Sequence, residues 1–144
     1  MSDERAAVLH MREDDRKHYD ALVPLLGESA PVASGYDITF PGGTFDSSRA
    51  ILLEAVKLER LLVGTLVTGL AATQDDETRL LLARILESDS VHLAAAQGIL
   101  RSATAFTRAL PLPLSLEESG LELDAYLSVP GFDDTSAAST ASRR

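Results

Sequence analysis

The chain contains no cysteine and no tryptophan. Without a thiol, a disulfide framework, a thiolate metal site and a cysteine nucleophile are all excluded. Basic residues are also scarce: 13 Lys and Arg stand against 22 Asp and Glu, for a net charge of −9. That balance lacks the basic stripe a phosphate backbone requires, so no nucleic-acid partner is expected. Aromatic residues are only 5% of the chain, too few to stack against sugars. The most apolar stretch, Ala50 to Ala72, is interrupted by Glu54, Lys57, Glu59 and Arg60 and does not read as membrane-spanning. From Met1 to Glu13 both charges are mixed, with no apolar targeting segment. No membrane association and a cytoplasmic location are therefore expected. Glycine-rich phosphate loops and the Gly-x-Ser-x-Gly elbow are missing as well.

What the chain does have is leucine and alanine at helical spacing, which points to an all-α fold. Its 144 residues suit one domain with a proper core. A first helix is expected over about 3–26, with Ser2 as N-cap and Gly27 as stop. Its buried stripe reads Val8, Met11, Asp15, His18, Leu22 and Leu25, leaving His10, Arg12, Asp14 and Lys17 for solvent. A second helix, about 47–72, carries Leu52, Ala55, Glu59, Leu62, Leu66 and Gly69. A third, about 77–103, carries Leu82, Ile85, Asp89, His92, Ala96 and Ile99. The short turn at Thr73 to Asp76 makes the second and third antiparallel neighbours.

Between the first two helices, Gly27 to Phe45 holds Pro31, Gly35, Pro41, Gly42 and Gly43 around a β-prone island at Tyr36 to Phe40. A connection this long can run the length of a bundle and leave those helices parallel. The chain thus divides into a helical domain over 1–109, a proline-containing segment over 110–129 and a disordered tail over 130–144. The middle segment has Ser115 and Glu118 at capping-box spacing, the mark of a short extra helix.

Two of the three histidines follow an aspartate by three residues, in Asp15-Arg16-Lys17-His18 and Asp89-Ser90-Val91-His92. Chance would supply two such pairs only about 6% of the time. At that spacing both side chains share a helix face and can grip one ion. Glu59 adds a third acid in mid-stripe. A buried carboxylate beside a buried imidazole is costly unless partnered, and a cation is one such partner. The candidate ligands are Asp15, His18, Glu59, Asp89 and His92, a set that suits iron, manganese or zinc rather than copper(I). Each has a plainer alternative. Asp89 and His92 suit a structural hydrogen bond, Glu59 suits a rim position, and Asp15 and His18 suit a solvated helix. Glu54 lies off the main stripe, and His10 reads as surface.

The order Asp-x-x-His, long crossover, lone Glu, short turn, Asp-x-x-His resembles helices two to four of the ferritin-like carboxylate proteins. Tyr36-Asp37-Ile38-Thr39-Phe40-Pro41, Lys57-Leu58-Glu59 and Ala83-Arg84-Ile85-Leu86-Glu87-Ser88-Asp89-Ser90-Val91-His92 resemble bacterial ferritin-like domains related to desiccation-related proteins. That likeness implies a ferritin-like helical bundle of three long helices with one long crossover. It also implies iron or manganese at the five ligands, and di-iron oxidase or iron-handling chemistry. The chain departs from the pattern in two ways: both Glu-x-x-His motifs are Asp-x-x-His, and the first helix with its carboxylate has no counterpart. Those departures imply the alternative of a metal-free scaffold with a structural or protein-binding role in stress tolerance. A three-helix remnant would expose a core-facing groove, to be filled by a second copy or by residues 114–127. A homodimer is the expected state.

Overall fold

The computed structural model describes residues 3–32, 35–100 and 112–128. Three long helices, α1 (Asp3–Leu26), α2 (Ser48–Ala72) and α3 (Asp76–Ile99), are followed by a short α4 (Leu116–Leu123). Two short strands, β1 (Asp37–Ile38) and β2 (Leu127–Ser128), pair antiparallel, with Asp37 opposite Ser128 and Ile38 opposite Leu127. The three long helices and the long crossover between the first and second, expected from the sequence, are observed. Ser2 and the 130–144 tail lie outside the described residues. The third helix, expected to reach beyond Ser102, closes at Ile99 with Leu100 as its C-cap, and residues 101–111 are outside the description.

Local chemistry sets the helix starts. Ser47 accepts from the Ala50 amide at 3.1 Å ahead of α2, and Asp75 accepts from the Thr78 amide at 2.7 Å ahead of α3. Ser115 and Glu118 form a reciprocal capping box at the start of α4. Pro24 lies inside the last turn of α1, and the helix continues past it to Leu26. Gly43, at φ +86°, supplies the left-handed turn that leads the crossover into α2.

Contacts along the helices fix their directions. Glu59 lies beside His92, and Gly69 beside Leu82, so α2 and α3 run antiparallel. Asp14 faces His92 while His18 faces Asp89, so α1 and α3 are antiparallel too. Helices α1 and α2 are therefore parallel, as a long crossover requires. Helix α1 leans on α3, and α2 packs along most of α3. A small apolar cluster of Met11, Val56 and Ala96, flanked by Leu93 and Leu100, ties the three together.

Helix α2 buries two faces, not the single stripe read from the sequence. Val56, Glu59 and Val63 form one buried row, and Glu54, Leu61 and Gly64 the other. Leu62, expected inside, is 44% exposed, as are the stripe ends Val8 (42%) and Leu25 (51%) of α1. The C-terminal segment covers the second row. The Leu114 amide donates to the Gly64 carbonyl at 3.1 Å, and the Thr65 and Ser119 hydroxyls lie 2.7 Å apart. Tyr126 donates to the buried carboxylate of Glu54, which also accepts from Lys57 at 2.8 Å. Residues 114–127 thus dock on α2 and on the crossover strand. Among the described residues, no helix is long and apolar enough to cross a membrane.

At Gly64 the segment leaves no room for a side chain: an added Cβ would sit 2.8 and 2.9 Å from Leu114 Cγ and Cδ1, and 3.2 Å from the Leu112 carbonyl oxygen. Overpacking of about 1–3 kcal/mol should outweigh the roughly 1 kcal/mol that alanine gains as a helix former. Gly64→Ala is expected to lower stability by about 1 kcal/mol in denaturant titration. Adding Leu114→Ala should relieve most of the crowding and make the two changes non-additive.

Candidate metal centre

The three helices bring all five candidate residues to one place. Helix α3 supplies Asp89, whose side chain is 2% exposed, and His92, at 5%. Helix α2 supplies Glu59, at 7%. Helix α1 supplies His18 and Asp15, the latter forming the outer wall at 46% exposure. His92 Nδ1 lies 3.6 Å from Asp15 Oδ1, 3.7 Å from Glu59 Oε1 and 3.8 Å from Asp89 Oδ1. His18 Nδ1 lies 3.2 Å from Asp89 Oδ1 and 3.9 Å from Asp15 Oδ1. The two imidazoles are stacked, with centroids 6.2 Å apart.

These positions follow from the i, i+3 spacing. Each Asp-x-x-His pair projects from one helix face, and the antiparallel approach of α1 and α3 sets each aspartate beside the other helix's histidine. The result is two groups of converging donors, Asp15–Glu59–His92 and Asp15–His18–Asp89, with Asp15 common to both.

Electrostatics in this space are unfavourable when no cation is present. Burial, with the charges of Asp15 and Asp89 beside it, pushes the Glu59 carboxyl up to about 8. Burial also raises Asp89 and Asp15, against the opposing pull of the two histidines. Glu59 Oε2, Asp89 Oδ1 and His92 Nδ1 are buried without a hydrogen-bond partner. Orphaned buried acceptors are rare, because each costs about 1–3 kcal/mol.

The donor set fits a divalent cation. Neighbouring ligands about 2.1 Å from an ion lie about 3.0–3.4 Å apart. The gaps of 3.2–3.9 Å come within about half an ångström of that range. Only oxygen and imidazole nitrogen are offered, the chemistry of iron, manganese and zinc.

Asp14 joins the cluster although the sequence pattern places it towards solvent. Its side chain is 19% exposed, and its Oδ2 lies 3.5 Å from His92 Nε2 and 3.3 Å from His10 Nε2. A hydrogen bond from Lys17 at 3.0 Å holds its carboxyl below the usual range. The signal was the double acid itself. Two successive helical positions differ by about 100°, so Asp14 and Asp15 straddle a single facing residue. Glu54, the other buried acid of α2, lies outside the cluster and is held below its usual range by Lys57 and Tyr126.

A family model for the ferritin-like domain matches residues 1–102. The chain belongs to the ferritin-like domain family. No curated protein and no solved structure matches it.

The cation-free protein should reveal the buried acid through its pH dependence. The folded state holds the Glu59 proton up to about pH 8, and the unfolded chain releases it near 4.5. Between those limits the folded state binds more protons, so stability falls as pH rises through the window. In metal-free protein, Glu59→Gln should flatten that fall and raise stability by about 1–2 kcal/mol at pH 8, measured by denaturant titration across pH 5–8. An unchanged slope would show that Glu59 is ionised throughout.

Proposed function

We propose that this chain is a ferritin-like metal-binding protein whose buried cluster holds two iron or manganese ions. The observation that carries the reading is the pair of converging triads sharing Asp15, with three buried donor atoms left unpartnered. Glu59 and His92 would hold one ion and His18 and Asp89 the other, with Asp15 contributing to both. Iron in such a setting supplies redox chemistry with dioxygen, in iron handling or as an oxidase. The chain's own part is to fix the ligands, keep the carboxylates ionised around positive charge and limit water access. Asp14, beside His92 Nε2, would accept the proton of that nitrogen and orient the ring.

The metal-free scaffold is the second reading, with a structural or protein-binding role in stress tolerance. One observation favours it: His18 and Asp89 approach to 3.2 Å, as a self-contained ion pair would. It leaves the orphaned atoms of Glu59 and His92 unexplained.

Elemental analysis of protein purified without chelator, and calorimetry with Mn(II), Zn(II) and anaerobic Fe(II), decide between them. Two ions per chain are expected. His18→Ala and His92→Ala should each lose one, and Asp15→Ala should weaken both by about tenfold or more. Failure to take up any of these ions would select the scaffold. The same reading includes a homodimer, because Val8 and Leu9, neighbours on α1, remain 42% exposed. Light scattering should give twice the chain mass, and a monomer at 100 μM (about the concentration that exposes weak association) would exclude it.

A further inference from the structure

Away from the metal centre, three aromatic rings meet where the crossover and the C-terminal segment pair beside Glu54. The chain has only four Phe and three Tyr, and Phe40, Phe45 and Tyr126 are brought together here. Phe40 stands edge-to-face with Phe45, centroids 5.2 Å apart at 75°, and with Tyr126, 6.2 Å apart at 73°. Each ring is set in place by bonds of its own segment. The Thr44 amide and hydroxyl both donate to the Pro41 carbonyl, at 3.1 and 2.8 Å, and the Asp46 amide donates to that of Gly43 at 3.1 Å. These successive turns fold the chain back so that Phe40 and Phe45 meet, with Thr44 buried. Tyr126 is held at three points: its hydroxyl donates to Glu54, its amide to the Leu123 carbonyl at 2.8 Å, and its carbonyl accepts from the Thr39 amide at 2.8 Å. This framework positions the rings without burying them, since Phe45 is 68% exposed and Phe40 41%. Packing alone does not account for touching rings fixed in place with so much surface in water; a contiguous exposed patch of this kind marks a binding site.

We propose that Phe40, Phe45 and Tyr126 form an aromatic cage for a trimethylammonium group, carried by a small solute or by a lipid headgroup. The face of each ring carries the negative lobe of its quadrupole, which attracts a cation within about 6 Å of the centroid. The observed spacings are comparable with that reach, and rings near right angles turn their faces to a shared corner instead of stacking them shut. The hydrogen bond to the Glu54 carboxylate draws the Tyr126 proton away from its oxygen and leaves that ring richer in electrons. Glu54 also sets the kind of cation. Its Oε1 is engaged by Tyr126 and its Oε2 by Lys57 at 2.8 Å, so both oxygens are already served. A primary ammonium entering the cage would exchange its hydrogen bonds to water for rings that return none. A trimethylammonium group has no N–H, is weakly hydrated and lays its methyl groups on the ring faces, so it loses little. The chain's net charge of −9 favours a cation over an anion at this surface. The cage does not depend on the metal-binding reading.

Choline is the probe, followed by NMR titration of the full chain. Its addition should shift the amide resonances of Phe40, Phe45 and Tyr126 saturably. Two controls separate charge from shape: the neutral alcohol in which carbon replaces the choline nitrogen, and ethanolamine hydrochloride at equal ionic strength. Each should bind about tenfold more weakly or worse. Phe45→Ala and Phe45→Leu change an exposed ring, and circular dichroism checks that both fold. Both should weaken choline binding by about tenfold or more, whereas Phe45→Trp, with the stronger ring, should match or exceed the parent. Co-sedimentation of the chain with phosphatidylcholine vesicles, competed by choline, would assign the ligand to a lipid headgroup. Choline binding without co-sedimentation would assign it to a soluble molecule, and either result supports the cage. No saturable shift with choline, equal binding of the neutral alcohol, or full binding by Phe45→Leu would each overturn it.

Discussion

Three carboxylates, Asp15, Glu59 and Asp89, share one poorly solvated space with two imidazoles, and the arrangement of the helices depends on how that charge is settled. Like charges within a few ångströms in a medium of low polarity repel strongly, so not all can stay ionised without a counter-charge. The buried apolar cluster that joins the three helices is small: Met11, Val56 and Ala96. It cannot by itself dominate the docking of α1, whose stripe ends at Val8 and Leu25 remain exposed. The polar cluster is therefore a structural element as much as a candidate site. It is also the place where cation binding and helix packing become one free-energy problem.

Helix α2 shows how the same residue type is used in opposite ways. Glu59 faces other acids and lacks a partner for one oxygen, whereas Glu54, on the other buried face, is fully served by Tyr126 and Lys57. One carboxylate is kept available, and the other is spent in tying down the chain end. The tie includes the β1–β2 pair, so the crossover and the C-terminal segment fix each other's position against α2.

Much of this was legible in the sequence. The i, i+3 pairs, the lone Glu59 and the proline- and glycine-rich crossover are local patterns, and local patterns survive without knowledge of partners. Ser115 and Glu118 announced α4 in the same way. What stayed hidden was pairwise. Glu54 looked peripheral because its donor, Tyr126, is 72 residues away. Leu62 looked internal because a single stripe was assumed where α2 has two, Val56–Glu59–Val63 and Glu54–Leu61–Gly64, and Leu62 belongs to neither. Asp14 looked solvent-facing because a helical wheel knows nothing of a histidine on the neighbouring helix. The pairing of Leu127 and Ser128 with the crossover carries no local signal at two residues in length.

The unequal attachment of the helices has a thermodynamic consequence. Helix α2 packs along α3 and is bonded to the C-terminal segment through both side chains and backbone, whereas α1 is joined to the rest mainly along α3. Helix α1 then behaves as a leaf with its own opening equilibrium beneath that of global unfolding. An ion gripped by Asp15 and His18 together with residues of α2 and α3 would act as a staple across that leaf. The affinity measured for such an ion would be its intrinsic affinity reduced by the fraction of molecules with the leaf shut. Any change that loosens α1, however far from the ligands, would be felt as weaker binding.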